Sequence, residues 1–190
     1  VNETGQVLTS IVNDVGETAA EAVAQEIRLA GGPAMGIAAS VTDYDAVTTM
    51  MDHTLAQWGQ VDILVNNAGI LRDKTFAKMY LSDFRLVLDV HLMGAVNCTK
   101  ALWEHMRERG YGRIILTTSS SGLFGNFGQS NYGAAKMALV GLMQTLALEG
   151  AKYNIRVNCI APSAATQMLD GLLPAEELER ADVRVRVEEA

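Results

Sequence analysis

The chain has 190 residues, 49% of them apolar and 19% charged, with a net charge of −7. This balance excludes a disordered chain, and the acidic charge without a basic stripe excludes a nucleic-acid binder that works by neutralising phosphates. Two cysteines, Cys98 and Cys159, cannot build a disulfide framework and point to a reducing, cytoplasmic setting; no apolar run reaches the ~18 residues of a membrane helix, and the start does not resemble a secretory signal.

Val7–Val12 reads as a strand that ends at Asn13-Asp14, and a helix from about Glu17 to Ala30 follows, stopped by Gly31-Gly32-Pro33. Ala34–Ala39 is a weaker strand. Thr42-Asp43 caps the next helix, which runs to about Trp58 and stops at Gly59. Asp62–Val65 is a short apolar strand. Ser82 is expected to cap one long helix to about Arg109, with Phe84, Leu88, Leu92, Ala95, Leu102 and Met106 near one face. Arg113–Thr118 is the clearest strand; a loop with Gly122, Gly125 and Gly128 leads into a helix from about Asn131 to Ala151, and Ile155–Ile160 is a further strand, broken by Pro162. The tail from Pro174 is helical and then charged. Met50, Met51, Met137 and Met143 sit at helical positions and read as core filling.

Strands alternating with long helices imply βαβ crossovers and a parallel sheet with helices on both faces, hence a doubly wound α/β fold in a single domain. Ligands of such sheets bind beyond the carboxyl ends of the strands, which directs attention to Asn13-Asp14, Asn66–Gly69, Ser119 and Pro162. Tyr132 and Lys136 lie four apart at the start of a helix and share a face. An ammonium beside a phenol favours the phenolate, which suits a tyrosine that exchanges protons with an alcohol or carbonyl near neutral pH. Without its context the spacing reads as a surface pair on the helix. Ser119 ends the preceding strand and can hydrogen-bond the same substrate oxygen.

His91, Cys98 and His105 recur every seven residues and so share a helix face, but seven residues rise about 10.5 Å while zinc ligands sit about 2 Å from one ion. No metal site is expected. The Gly122–Gly128 stretch lacks the Gly-Lys-Ser/Thr ending of a phosphate loop, and Ser119–Ser121 lacks the Gly-x-Ser-x-Gly of a hydrolase elbow.

Asp62–Gly69 (Asp-Ile-Leu-Val-Asn-Asn-Ala-Gly), Ser119 with Tyr132-Gly133-Ala134-Ala135-Lys136, and Asn154–Pro162 (Asn-Ile-Arg-Val-Asn-Cys-Ile-Ala-Pro) together resemble the short-chain dehydrogenase/reductase family, from about Val7 to Leu173. Asn13–Gly16, Gly69–Asp73, Gly125–Gln129 and Leu148–Ile155 are similar, more narrowly, to the (3R)-hydroxyacyl-CoA dehydrogenase domains of peroxisomal multifunctional enzymes type 2 and their bacterial relatives.

The resemblance implies a Rossmann-type fold, NAD as cofactor, and interconversion of a secondary hydroxyl and a ketone, with 3-hydroxyacyl thioesters as substrate. It implies Tyr132 as general acid/base, Lys136 lowering the phenol's pKa and holding the nicotinamide ribose, and Ser119 polarising the substrate oxygen. Asn67, Ala68 and Gly69 match the stretch along the cofactor, and Pro162, Ala164 and Thr166 belong to the loop near the carboxamide, with Ser163 where many members have glycine. Asp14, at the end of the second family strand, would accept hydrogen bonds from the adenosine ribose and repel a 2′-phosphate; a residue that merely starts a turn is the alternative. Ser40 and Val41 match the adenine side. His91 replaces the asparagine of most members, as in the hydroxyacyl-CoA subfamily, and reads either as part of a proton relay or as a buried, hydrogen-bonded structural histidine.

The family's opening Thr-Gly-x-x-x-Gly-x-Gly has no match here, and members continue beyond the last strand read above. The family places its first strand between Val7–Val12 and Asp62–Val65, so the sequence is expected to be incomplete at both ends. A small-molecule substrate, no nucleic acid or membrane partner, and a homodimer or homotetramer are expected, the last because Ala134, Met137, Leu139, Val140, Leu142 and Leu146 exceed what one sheet face needs. A catalytically inactive binding or scaffold domain, or a dehydrogenase for another alcohol, is the competing reading.

Overall fold

The computed structural model describes residues 18–162. The expected strand Val7–Val12, Asp14, Ala164, Thr166 and the tail from Pro174 lie outside the described residues. Helix α1 spans Ala19–Leu29 and is capped by the Thr18 hydroxyl, which accepts from the Glu21 N–H. Helix α2 spans Tyr44–Trp58, and the Asp43 carboxylate accepts from the N–H groups of Asp45 and Ala46. It ends at Gly59 in the left-handed conformation (φ 74°), which costs glycine nothing.

Strand β1 is Ile63–Asn66, α3 is Leu81–Leu88, α4 is Gly94–Arg109 and β2 is Gly112–Thr117. A short helix α5, Ser120–Phe124, precedes α6, Ser130–Gly150, and β3 is Ile155–Ile160. The three strands form a parallel sheet in the order β1-β2-β3, with Val65 opposite Ile115 and Thr117 opposite Ile160. Parallel neighbours joined by helices are the expected α/β architecture.

Three expectations are corrected. Ala34–Ala39 forms no strand: Arg28 donates to the Ala34 carbonyl (3.0 Å) and the Gly36 N–H donates to the Glu21 carboxylate (3.1 Å), so side chains of α1 take up its backbone groups. The long helix from Ser82 is three pieces. It begins at Leu81 without a side-chain cap, because the Tyr80 carbonyl already accepts from the Phe84 N–H (3.1 Å), one residue pair too early for Ser82 to cap. A π-helical turn, Asp89–Met93, then separates α3 from α4. The buried residues run from Val87 before the turn through Val90 and His91 within it to Ala95, Cys98, Leu102 and Met106 after it, while Phe84, Leu88 and Leu92 are only partly covered. The glycine-rich stretch after Ser119 is not all loop, since α5 forms within it.

Ile114, Leu116 and Val157 share a core with Val47 and Met51 of α2, Ala95, Cys98, Leu102 and Met106 of α4, and Leu139 of α6. The alternation of side chains along each strand puts these on one face. On the other, Ile63 and Val65 are 59% and 53% exposed, so among the described residues helices cover one face of the sheet. Leu139 therefore belongs to the core and not to an outer patch. Met51 is buried and Met50 and Met143 pack against the core, but Met137 is half exposed because it points away from the sheet.

Candidate active site

Strand β2 and helix α6 bring the proposed catalytic groups together. Thr118 and Ser119 follow β2, and Tyr132 and Lys136 occupy the first two turns of α6. Lys136 is 4% exposed; its Nζ donates to the Thr117 carbonyl (2.6 Å), and the Thr118 hydroxyl donates to the Lys136 carbonyl (2.7 Å). The lysine is thus clamped to the end of β2 at both its ends. Helix α5 can pack beside it because Gly122 has no side chain; a Cβ there would meet the Lys136 Cβ at 2.8 Å. The Ser119 hydroxyl caps α5 by accepting from the Ser121 N–H (3.2 Å).

Burial brings the Lys136 ammonium down to about 8, with Cys159 acting the opposite way. The Tyr132 phenol is raised, first by burial; Ser119 lowers it and the Asp73 carboxylate raises it again. The expected lowering of Tyr132 by Lys136 is thus not what the structure has. The ammonium lies over the ring, 5.4 Å from its centroid, and turns toward the Thr117 carbonyl.

His91, in the π turn, is 3% exposed and meets Tyr132 edge-on, the ring centroids 5.2 Å apart. Its Nε2 lies 3.0 Å from the Ile70 nitrogen and 2.8 Å from the Ile70 oxygen, so it accepts from one or donates to the other according to tautomer. Burial, then the charge of Lys136, lowers its pKa to about 4, against the bond to Ile70. Gly69 lies against this imidazole, and a Cβ at that position would run into the ring. His105, by contrast, accepts from the Val61 N–H (3.3 Å), and Cys98 is buried in the core.

A cavity of about 160 Å³ opens beyond the carboxyl end of β1 and is lined by Val41, Asn67, Ala68, His91 and Lys136 among others. Two buried atoms at this end of the sheet, His91 Nδ1 and Thr117 Oγ1, have no hydrogen-bond partner among the described residues. With two N–H donors of Lys136 also uncommitted, the lining suits a ligand that offers hydroxyls and polar ring edges, as a nicotinamide riboside does. Ser40 does not line this cavity; its hydroxyl shares a hydrogen bond with Thr42 (2.8 Å). Pro162 is exposed two residues past β3.

Sequence reasoning missed Thr117, Ile70 and Asn131. The first two act through main-chain atoms, which leave no residue-type signal. Asn131 is fully buried; its amide donates to the Arg72 carbonyl (3.0 Å) and its oxygen accepts from the Tyr132 N–H (2.7 Å). An asparagine just ahead of the Tyr-x-x-x-Lys pair at a helix start was the available clue.

The sequence pattern of the short chain dehydrogenases matches residues 5–177. A protein of Mycobacterium tuberculosis named as a short-chain type dehydrogenase/reductase is 48% identical over 185 residues, 93% of this chain and 65% of its own length. Peroxisomal multifunctional enzyme type 2 of Drosophila melanogaster is 48% identical over 176 residues, 86% of this chain and 28% of that enzyme. The crystal structure of a short chain dehydrogenase from Mycobacterium avium superimposes with a TM-score of 0.75 at 39% identity, covering 80% of this chain and 55% of the other. The chain therefore spans less than two thirds of the length of each of these relatives.

Proposed function

The chain belongs to the short-chain dehydrogenase family, and on that premise we propose that it is an NAD-dependent oxidoreductase interconverting 3-hydroxyacyl-CoA and 3-oxoacyl-CoA. The observation that carries the proposal is the convergence of Ser119, Tyr132 and buried Lys136 at the carboxyl end of β2. Tyr132 takes the proton from the substrate hydroxyl in oxidation and returns it in reduction. Ser119 hydrogen-bonds the same oxygen and stabilises the charge that develops on it. Lys136 holds the ribose hydroxyls with the two donors that Thr117 leaves over. Bound nicotinamide supplies the hydride acceptor or donor, and Val41, Asn67, Ala68, Gly69 and Lys136 would hold it, with Ser40, Pro162, Ala164 and Thr166 assigned to its remaining edges. His91, neutral at physiological pH, is held by Ile70 through Nε2 and keeps Nδ1 free to join a proton relay.

The acyl thioester is favoured by the relationship to peroxisomal multifunctional enzyme type 2 and by Phe124 and Phe127, 87% and 89% exposed in the stretch between Ser119 and Tyr132. Asp14 favours NAD over NADP, because a carboxylate repels a 2′-phosphate. A homodimer or homotetramer is favoured by an apolar groove between α4 and α6, lined by Val96, Trp103, Leu142 and Leu146. Two thiols outside any disulfide suit the cytoplasm; among the described residues no helix is long and apolar enough to cross a membrane.

The test is turnover of a 3-hydroxyacyl-CoA by the full-length protein with NAD, followed by the absorbance of the reduced cofactor. Activity only on another alcohol overturns the substrate assignment. No activity on any alcohol or ketone, with NAD still bound, leaves a binding domain. Equal or tighter binding of NADP overturns the cofactor assignment, and a monomer in light scattering at micromolar concentration overturns the oligomer.

A further inference from the structure

Two of the stretches that set this chain apart within its family, Gly69–Asp73 and Gly125–Gln129, meet in the structure, although 56 residues separate the side chains that join them. The Gln129 amide donates to the Asp73 carboxylate (2.7 Å), and the Asn126 amide donates to the Gln129 oxygen (3.0 Å). The main chain is tied at the same place, since the Lys74 N–H donates to the Gly128 carbonyl (2.9 Å). Asn131 adds a third tie through the Arg72 carbonyl (3.0 Å), and the next residue is Tyr132. Gln129 is 8% exposed and Asn131 is fully buried, while Asp73 is half-buried and Asn126 is exposed, so the junction is anchored from the inside by Gln129 and Asn131.

Resting on the dehydrogenase reading above, the geometry points to Asp73 as a positioning residue for Tyr132: by accepting the Gln129 amide, its carboxylate clamps the loop after β1 to the turn that starts α6 and so fixes where the phenol enters the site. The other charged and polar groups around the phenol come from three elements: Ser119 at the cap of α5, His91 in the π turn and Lys136 one turn along α6. Burial raises the phenol's titration first; Ser119 lowers it and the Asp73 carboxylate raises it further. Asp73 therefore acts twice: its hydrogen bond holds the turn, and its charge opposes the phenolate. The second oxygen, Oδ1, is buried with no partner among the described residues, so the Gln129 amide is the donor the carboxylate has there.

The two actions separate by substitution in the full-length protein. Gln129→Glu sets a second carboxylate against Asp73 and breaks the clamp. Asp73→Asn with Gln129→Glu restores it with donor and acceptor exchanged, because the new amide donates to the new carboxylate, which still accepts from Asn126. With 3-hydroxyacyl-CoA and NAD, Gln129→Glu should lower kcat by up to about 100-fold, the scale of a 1 Å misplacement, with NAD affinity unchanged. The double variant should recover to within a few-fold of wild type. Asp73→Asn alone should shift the acid limb of the pH profile to lower pH, since removing the carboxylate eases ionisation of Tyr132. An ultraviolet titration of the phenol, taken as the difference from Tyr132→Phe, should show the same shift, and hydrogen exchange at residues 126–132 should quicken in Gln129→Glu and slow again in the double variant. These two readouts need no turnover. If wild type turns over no hydroxyl or keto substrate, the dehydrogenase reading fails while the clamp is still judged by exchange and titration. Wild-type kcat in Gln129→Glu, or a double variant no better than it, overturns the clamp; an unshifted phenol in Asp73→Asn overturns the electrostatic half.

Discussion

The two walls of the site are built to different tightness. On the wall formed by β2, the π turn and α6, Lys136, His91 and Asn131 are almost wholly buried, and each is hydrogen-bonded to main chain. On the wall that follows β1, Asn67, Ala68 and Gly69 are exposed, and none of their side chains makes a hydrogen bond among those described. A wall that moves protons must hold its groups to a fraction of an ångström, whereas a wall that receives a ligand can leave its contacts to backbone and shape. The contrast predicts that damage to the first wall shows in turnover and damage to the second in stability or binding.

The sharpest break comes from Tyr132→Phe, which keeps the ring against His91 and removes the transferable proton. Turnover should fall by about 10⁴, the upper range for a general acid/base, while NAD titration remains near wild type; near-normal turnover would sink the assignment. Lys136→Met should lower both turnover and NAD affinity, since this residue stands where the two walls meet. It should also raise the thermal midpoint. The ammonium's folded pKa of about 8 lies below that of the unfolded chain, so burying it costs stability at neutral pH. A variant that loses activity and stability together would contradict the account of a strained, functional lysine.

Ser119→Ala should cost 10² to 10³ in kcat, the scale for one donor to a developing oxyanion, with little change in NAD binding. His91 supplies a pH test. Its folded pKa of about 4 lies below the ordinary 6.5, so the unfolded chain takes up the proton first. The stability it contributes is complete above 6.5 and is lost as pH falls from there toward 4, on the order of 3 kcal/mol in all. Unfolding curves should therefore show wild type losing more stability than His91→Asn between about pH 7 and about pH 5; parallel losses would refute the buried neutral imidazole. The smallest effect belongs to Gly69→Ala, whose Cβ overpacks against His91 at a cost of about 1–3 kcal/mol, read as a lower thermal midpoint.

Much of the fold was legible because it rests on local signals. The caps at Asp43 and Gly59, the β-branched runs of β1 to β3 and the starts of α2 and α6 each follow from a few adjacent residues. What escaped was set by geometry without a residue signature. The π turn inserts a residue into a helix without changing its composition, so the stripe Phe84-Leu88-Leu92 looks continuous in sequence although the buried residues are Val87, then Val90 and His91 in the turn, then Ala95 and Cys98. Helix α5 is only five residues long and carries a glycine, which hides it from any periodicity. The proposed catalytic residues stand out through their spacing, but the burial that raises Tyr132, and the smaller push from Asp73, come from tertiary packing that nothing in the local sequence announces.

The anchoring of the tight wall to main-chain atoms bears on how such a site endures mutation. Thr117 O, Ile70 O and N, and Arg72 O hold Lys136, His91 and Asn131, and every amino acid carries these atoms, proline's missing N–H aside. A point substitution at Thr117 or Arg72 can therefore leave the carbonyl where it stands. Drift in those side chains is silent to the catalytic groups as long as strand register and loop path persist, so insertions or deletions threaten this wall more than substitutions do.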